Sequence, residues 1–350
     1  MKKYISDVFL FLFIMVSSVS IQAQELSHEK NKQVKKNNIQ VSININKIYG
    51  VNELNETYII DGYLVASWKD KALAKEMQAG KISPTVYEND EITTALKTHL
   101  WIPAFEFINV VGHRSVGNKQ VVTSANGEVV YNERFQATFT SPMDFRKFPF
   151  DQQKLSIQLE SFSYDKKRIE FVHPKVYPEL IQQKLLSEWD IVNKHLYIST
   201  QDYSHLSDDG SETLFSRYNL DIDLKRKSNY YILNFMLPLM LIIISSWCVF
   251  WIKDFQTKLS TSFMLMLTVV AFNFQASSLL PKLPYTTFMG SLTILGYLSI
   301  FAGLTIVLFG ELQAARKAHF DSNKLMVRSR IIFPLFLCLT IGFEIWAYRI

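Results

Sequence analysis

Apolar and polar positions alternate with a period of two over residues 41–48 (VSININKI), through much of 58–68, and again over 128–140 (EVVYNERFQATFT), 154–160 and 216–224. That spacing is the mark of strands with one buried and one wet face. Turn signals break the runs at Asn126 with Gly127, Ser141 with Pro142, Phe148 with Pro149 and Asp209 with Gly210. The pattern over 24–228 predicts an immunoglobulin-like antiparallel β-sandwich of about ten strands, with one short helix at 90–98.

After residue 228 the period vanishes and long apolar stretches take over, at 230–252, 259–280, 287–309 and 331–348. About 20 residues rising 1.5 Å each cross a hydrocarbon core of roughly 30 Å, so these predict a four-helix all-α membrane domain. The first 23 residues carry Lys2 and Lys3, an apolar run and Ala23, the order of a secretory signal peptide. Removal of that signal leaves 24–228 outside the cell. The turn after the first membrane helix and the linker 310–330 then face the cytoplasm.

Charge supports this orientation. The chain has 37 Lys and Arg against 32 Asp and Glu, a net +5. Seven basic residues (Lys253, Lys258, Arg316, Lys317, Lys324, Arg328, Arg330) fall on the segments read as cytoplasmic, and only Lys282 and Arg349 on the outer side. The surplus therefore follows membrane topology, and no nucleic-acid partner is implied. Both cysteines, Cys248 and Cys338, lie inside predicted membrane helices and provide no disulfide framework for the exported part. The seven histidines are scattered without ligand spacing, and no phosphate loop or nucleophile elbow occurs, so neither a metal, a cofactor nor an enzymatic activity is expected. On the residues alone, the pattern goes no further than an exported β-sandwich fused to a four-helix membrane domain, and a membrane-anchored periplasmic sensor or binding receptor without conduction stays open. A transporter is less well supported, because Glu344 is the one ionisable residue within the spans.

Several separated motifs narrow the choice. FRKFPFD at 145–151, Trp68 to Asp70, WIPAFEFINVVG at 101–112, SFMLMLTVVAF at 262–272 and LPKLPYTT at 280–287 occur in one order and on consistent sides of the membrane. Together they resemble the pentameric ligand-gated ion channel superfamily, most closely its amine-gated bacterial members. The resemblance implies a homopentameric ring with its pore lined by the second membrane helix, and a small amine-type agonist bound between exported domains. Permeant ions and membrane lipid are the other implied partners.

Carried over residue by residue, the resemblance implies an agonist pocket of Glu106, Glu160, Phe162, Tyr203 and Phe215, with Tyr58 and Asn132 supplied by the neighbouring copy. It implies pore-lining positions Ser260, Met264, Leu267, Ala271, Phe274 and Ser278. These fall within an arc of about 80° at about 100° per residue, polar at both ends and apolar between. Rings of Leu267 and Phe274 would form a dewetting gate, although an apolar stripe is equally a packing surface. A further set links pocket to pore: Asp151 paired with Arg226, together with Phe148, Pro149, Phe150, Pro281 and Pro284. At the inner pore mouth Gln256, Thr257 and Lys258 stand where cation channels of the family carry Glu, and Asp254 is the nearby acid. Cation conduction is the expectation.

Overall fold

The computed structural model describes residues 36–174, 188–206, 213–277, 283–316 and 321–350. The predicted signal peptide, the turn at Asp209 and Gly210, and the candidate residues Ser278 and Pro281 lie outside them. Among the described residues ten strands form two sheets: β1 (Asn37–Asn52), β2 (Thr57–Lys69), β3 (Val86–Glu88), β4 (Phe105–Phe107), β5 (Ser115–Thr123), β6 (Glu128–Thr140), β7 (Gln152–Ser161), β8 (Ile169–Val172), β9 (Trp189–Asp202) and β10 (Leu214–Arg226). The sheet orders are β3-β5-β6-β2-β1-β8 and β4-β7-β10-β9. One face of each packs on the other, and the alternating residues Val41, Ile43 and Ile45 of β1 and Leu155, Ile157 and Leu159 of β7 are buried between them.

The sandwich is not wholly antiparallel. β8 joins β1 in parallel, Asn37 opposite Ile169 and Gln40 opposite Val172. A four-residue edge strand carries too little pattern to reveal its direction in sequence. The predicted helix appears as α2 (Asp90–Leu96), and another, α1 (Lys71–Gln78), precedes it. Asp70 starts α1 by accepting from the backbone N–H groups of Ala72 and Leu73 at 2.8 and 3.1 Å. In the turn before β6, Gly127 has φ +77°, and a Cβ there would stand 2.3 Å from the Asp70 carbonyl oxygen, so the position admits only glycine. The motif tryptophans form a cluster: Trp68 and Trp101 meet edge to face at 5.8 Å, and Trp101 donates to Tyr164 Oη at 3.0 Å.

Four helices long and apolar enough to cross a membrane follow the sandwich: α3 (Asn229–Trp251), α4 (Phe255–Ser277), α5 (Phe288–Arg316) and α6 (Ser322–Tyr348). In α3 the turn Ile232–Met236 widens to a π-helix just before Pro238, whose ring and missing N–H deny the normal partner to the preceding turn. α5 packs against α3 and α4 at Gly296, where an added Cβ would lie 3.2 Å from Leu239, 3.6 Å from Val269 and 3.7 Å from Ile243. The segment 310–330, expected as a linker, is mostly helical. α5 continues to Arg316, and Asp321 caps α6 by accepting from Asn323 and Lys324 N–H at 3.0 and 3.3 Å. The polar residues that end the membrane-crossing pattern thus extend the helices beyond the hydrocarbon layer.

Candidate functional site

The outward face of the β4-β7-β10 sheet gathers most of the expected pocket residues. Register sets Glu106 of β4 directly opposite Glu160 of β7, and Phe162 follows one residue past the end of β7, 73% exposed. Glu106 is exposed, whereas Glu160 is 3% exposed and ion-paired with Arg217 of β10, Nε to Oε1 at 2.5 Å. Arg217 Nη2 also donates to Tyr203 Oη at 2.8 Å, and Tyr203 meets Phe215 edge to face at 5.6 Å. A concavity of about 420 Å³ adjoins this cluster, lined by Glu106, Phe162, Phe107, His113 and Arg114 among others.

Asn132 of β6 lies on the other sheet, in a concavity of about 290 Å³ shared with Tyr63, Glu88, Lys119, Gln120 and Arg134. Tyr58 is not part of it. Its side chain is fully buried between the sheets, stacked on Phe139 at 5.9 Å, with Oη donating to the Ser156 carbonyl at 2.5 Å and sharing a hydrogen with Ser141 Oγ at 3.1 Å. Burial pushes its pKa well above the ordinary tyrosine value. Tyr58 and Tyr63 are five positions apart, an odd offset, so on a strand of period two they point to opposite faces. Tyr58 is a core residue, and Tyr63 is the β2 aromatic beside Asn132.

Along α4, the predicted stripe residues Ser260, Met264, Leu267, Ala271 and Phe274 are all exposed in the single chain, Leu267 by 70% and Phe274 by 73%. Lys258, Ser262, Val269 and Phe272 point the other way into the bundle. Asp254 ends the preceding turn and caps α4, accepting from the Thr257 N–H and hydroxyl at 2.7 Å each, which holds its pKa below the usual carboxylate value.

Where sandwich meets bundle, Asp151 and Arg226 form a two-pronged pair, Nε to Oδ1 at 2.7 Å and Nη2 to Oδ2 at 3.1 Å. A third partner was not visible in the sequence. Glu53, in the β1–β2 turn, reaches Arg226 Nη1 at 2.6 Å. The guanidinium is sealed by rings of Trp189, Phe148 and Tyr231, their centroids 4.1, 4.9 and 5.7 Å away. Burial opposes the Arg226 charge, but the hydrogen bonds and charges of Asp151 and Glu53 outweigh it and raise the pKa further.

The 145–151 loop seats on the bundle beside this cage. The peptide between Phe148 and Pro149 is cis. Ser228 Oγ donates to the Pro149 carbonyl at 2.7 Å, and Phe288 N–H donates to the Arg146 carbonyl at 2.8 Å. Phe150 lies 5.9 Å from the ring of Phe288, and Tyr285 Oη accepts from the Phe145 N–H at 3.1 Å. Pro284 stands exposed in the bend before α5, next to Tyr285.

This architecture has known counterparts. Residues 24–228 match the family described as the neurotransmitter-gated ion-channel ligand binding domain. The chain belongs to that family. A proton-gated ion channel of Gloeobacter violaceus is 29% identical over 302 residues, covering 85% of this chain and 79% of its own length. A gamma-aminobutyric acid receptor subunit beta-4 of Gallus gallus is 28% identical over 259 residues, 70% of this chain and 49% of its own length, so the chain spans about half of that relative. A neurotransmitter-gated channel domain followed by four membrane-length helices makes this a multi-pass membrane protein of the ligand-gated ion channel class.

Among channels of this family, the two tyrosines of β2 give a direct contrast. Tyr58→Phe removes two buried hydrogen bonds and is expected to cost about 1–3 kcal/mol of stability, read as a lower melting temperature, with agonist sensitivity unchanged. Tyr63→Ala is expected to leave the melting temperature near wild type and to shift the agonist concentration dependence. The reverse outcome would return Tyr58 to the pocket.

Proposed function

We propose that the protein is a homopentameric channel of a bacterial plasma (inner) membrane, its sandwich in the periplasm, opened by a small primary amine bound between neighbouring sandwiches. The observation that carries the reading is the row on α4: every described member of the stripe lies on the side of the helix that the single chain leaves unpacked. Five such helices around an axis bring polar Ser260 to the inner end and an apolar belt of Leu267 and Phe274 above it. A narrow apolar belt sheds water and stops ions without a plug.

Glu106, Glu160, Phe162, Tyr203 and Phe215 form the near wall of the agonist site. Tyr63 and Asn132 of the adjacent copy close it. Ring faces attract an ammonium by about 0.5–2 kcal/mol, and a carboxylate supplies the opposing charge. Moving the gate from 1:99 to 99:1 requires about 5.5 kcal/mol of differential affinity, about 1.1 for each of five sites, so modest contacts suffice. Asp254, the acid at the inner mouth, favours cations as the permeant species.

The test is purified full-length protein in a planar bilayer, exposed in turn to primary amines, amino acids and acid. Two relatives are named for protons and for gamma-aminobutyric acid, and both belong in the panel. Amine-evoked, cation-selective current from a five-membered ring is the expected result. A ring that passes no ions under any stimulus would overturn it.

A further inference from the structure

The near wall of the pocket contains a cation of its own. Glu106 and Glu160 stand opposite each other across β4 and β7, an arrangement in which two carboxylates repel. Arg217 answers that repulsion on one side only. Its Nε holds Glu160 Oε1 at 2.5 Å, its Nη1 donates to Gln158 Oε1 at 3.3 Å, and its Nη2 fixes Tyr203 Oη at 2.8 Å. Tyr203 in turn donates to the same Glu160 oxygen at 3.5 Å. Among the described residues, Glu160 Oε2 has no hydrogen-bond partner.

We propose that Arg217 sets the specificity of this pocket: by occupying one oxygen of Glu160 and orienting Tyr203, it offsets the charge of that carboxylate and leaves its other oxygen as a hydrogen-bond acceptor, selecting ammonium groups that carry N–H over quaternary ones. The inference rests on the agonist reading above. A cation approaching an isolated buried carboxylate is drawn by charge, whatever its substituents. A cation approaching a carboxylate already paired to guanidinium sees little net field and gains chiefly from a proton donated to the open oxygen. A quaternary ammonium has no such proton. Arg217 is therefore a positioning residue, acting through Glu160 and Tyr203.

The experiment compares butylamine with butyltrimethylammonium as agonists of the full-length channel in liposomes. Wild type is expected to respond to butylamine at concentrations about tenfold lower or more, the worth of one charge-assisted hydrogen bond. Arg217→Gln gives Glu160 back its full field, and the ratio between the two ligands is expected to collapse towards one.

Groups facing Glu160 are Arg217, Tyr203 and, from β4, Glu106, while His205 lies against Tyr203 at 6.4 Å. Arg217→Lys is expected to restore part of the ligand ratio and supplies a variant if the glutamine form does not assemble. An unchanged ratio in Arg217→Gln would overturn the role of Arg217 alone. A wild-type channel indifferent to both amines would overturn it together with the agonist reading.

Discussion

Leu267→Ser is expected to raise the resting current and to lower the amine concentration needed for half-maximal opening. In the single chain Leu267 is 70% exposed and Phe274 73%, so neither is needed to hold α4 against α3 or α5; that task falls to Val269 and Phe272. The substitution therefore leaves the fold intact and acts where five copies converge. Full burial of a leucine is worth about 1.5–3 kcal/mol. If the closed ring loses only about 0.5 kcal/mol per subunit, the five together give about 2.5 kcal/mol, roughly a 70-fold shift towards the open state. Single-channel open probability without agonist measures it. Unchanged currents at equal surface amount would remove Leu267 from the gate.

The second large effect is expected at the junction. Arg226→Gln leaves Asp151 buried and the half-buried Glu53 beside it without their cation, and breaking a buried pair in this way costs about 3–5 kcal/mol. Loss of assembled channel from the membrane, read by size-exclusion chromatography, is the expected result. Exchange of Asp151 and Arg226 tests whether the two form a specific pair, which restored current would support. The observed surroundings oppose that, because the exchanged carboxylate would face Glu53 at the position now 2.6 Å from it and would sit among three ring faces that favour a cation. The double exchange is thus expected to fail, whereas Arg226→Lys, which retains the charge but not the fork, keeps part of the current. Full recovery in the exchanged protein would show that Glu53 and the rings contribute little.

The strands and membrane helices were legible because their periods are imposed by the solvent on each side. β6 alternates inward and outward from Val129 to Phe139 as its sequence does, the buried Glu133 excepted, and α3 to α6 stand where the long apolar stretches lie. What stayed hidden depends on distance along the chain or on choice of face. Tyr58 and Tyr63 are both aromatic residues on an alternating strand, and alternation does not say which face is inside. Arg217 and Glu160 are 57 residues apart, and Glu53 is separated from Arg226 by most of the sandwich, so no local signal joins them. The helical turns within 310–330 were obscured by their polarity, although Asp321 followed by Ser322 and Asn323 is a helix-start signal.

α6 is anchored near its two ends. At the inner side Arg330 donates to the Phe250 carbonyl at 3.2 Å while its own carbonyl accepts from Trp247 Nε1 at 2.9 Å, and at the outer side Tyr348 meets Phe288 and Lys147 donates to the Arg349 carbonyl at 3.3 Å. Between these ties Leu335, Phe336, Leu339 and Phe343 face outward. The middle of the helix can therefore drift among greasy side chains during descent from a common ancestor at little cost, while its two moorings change only in step with α3, α5 and the loop above.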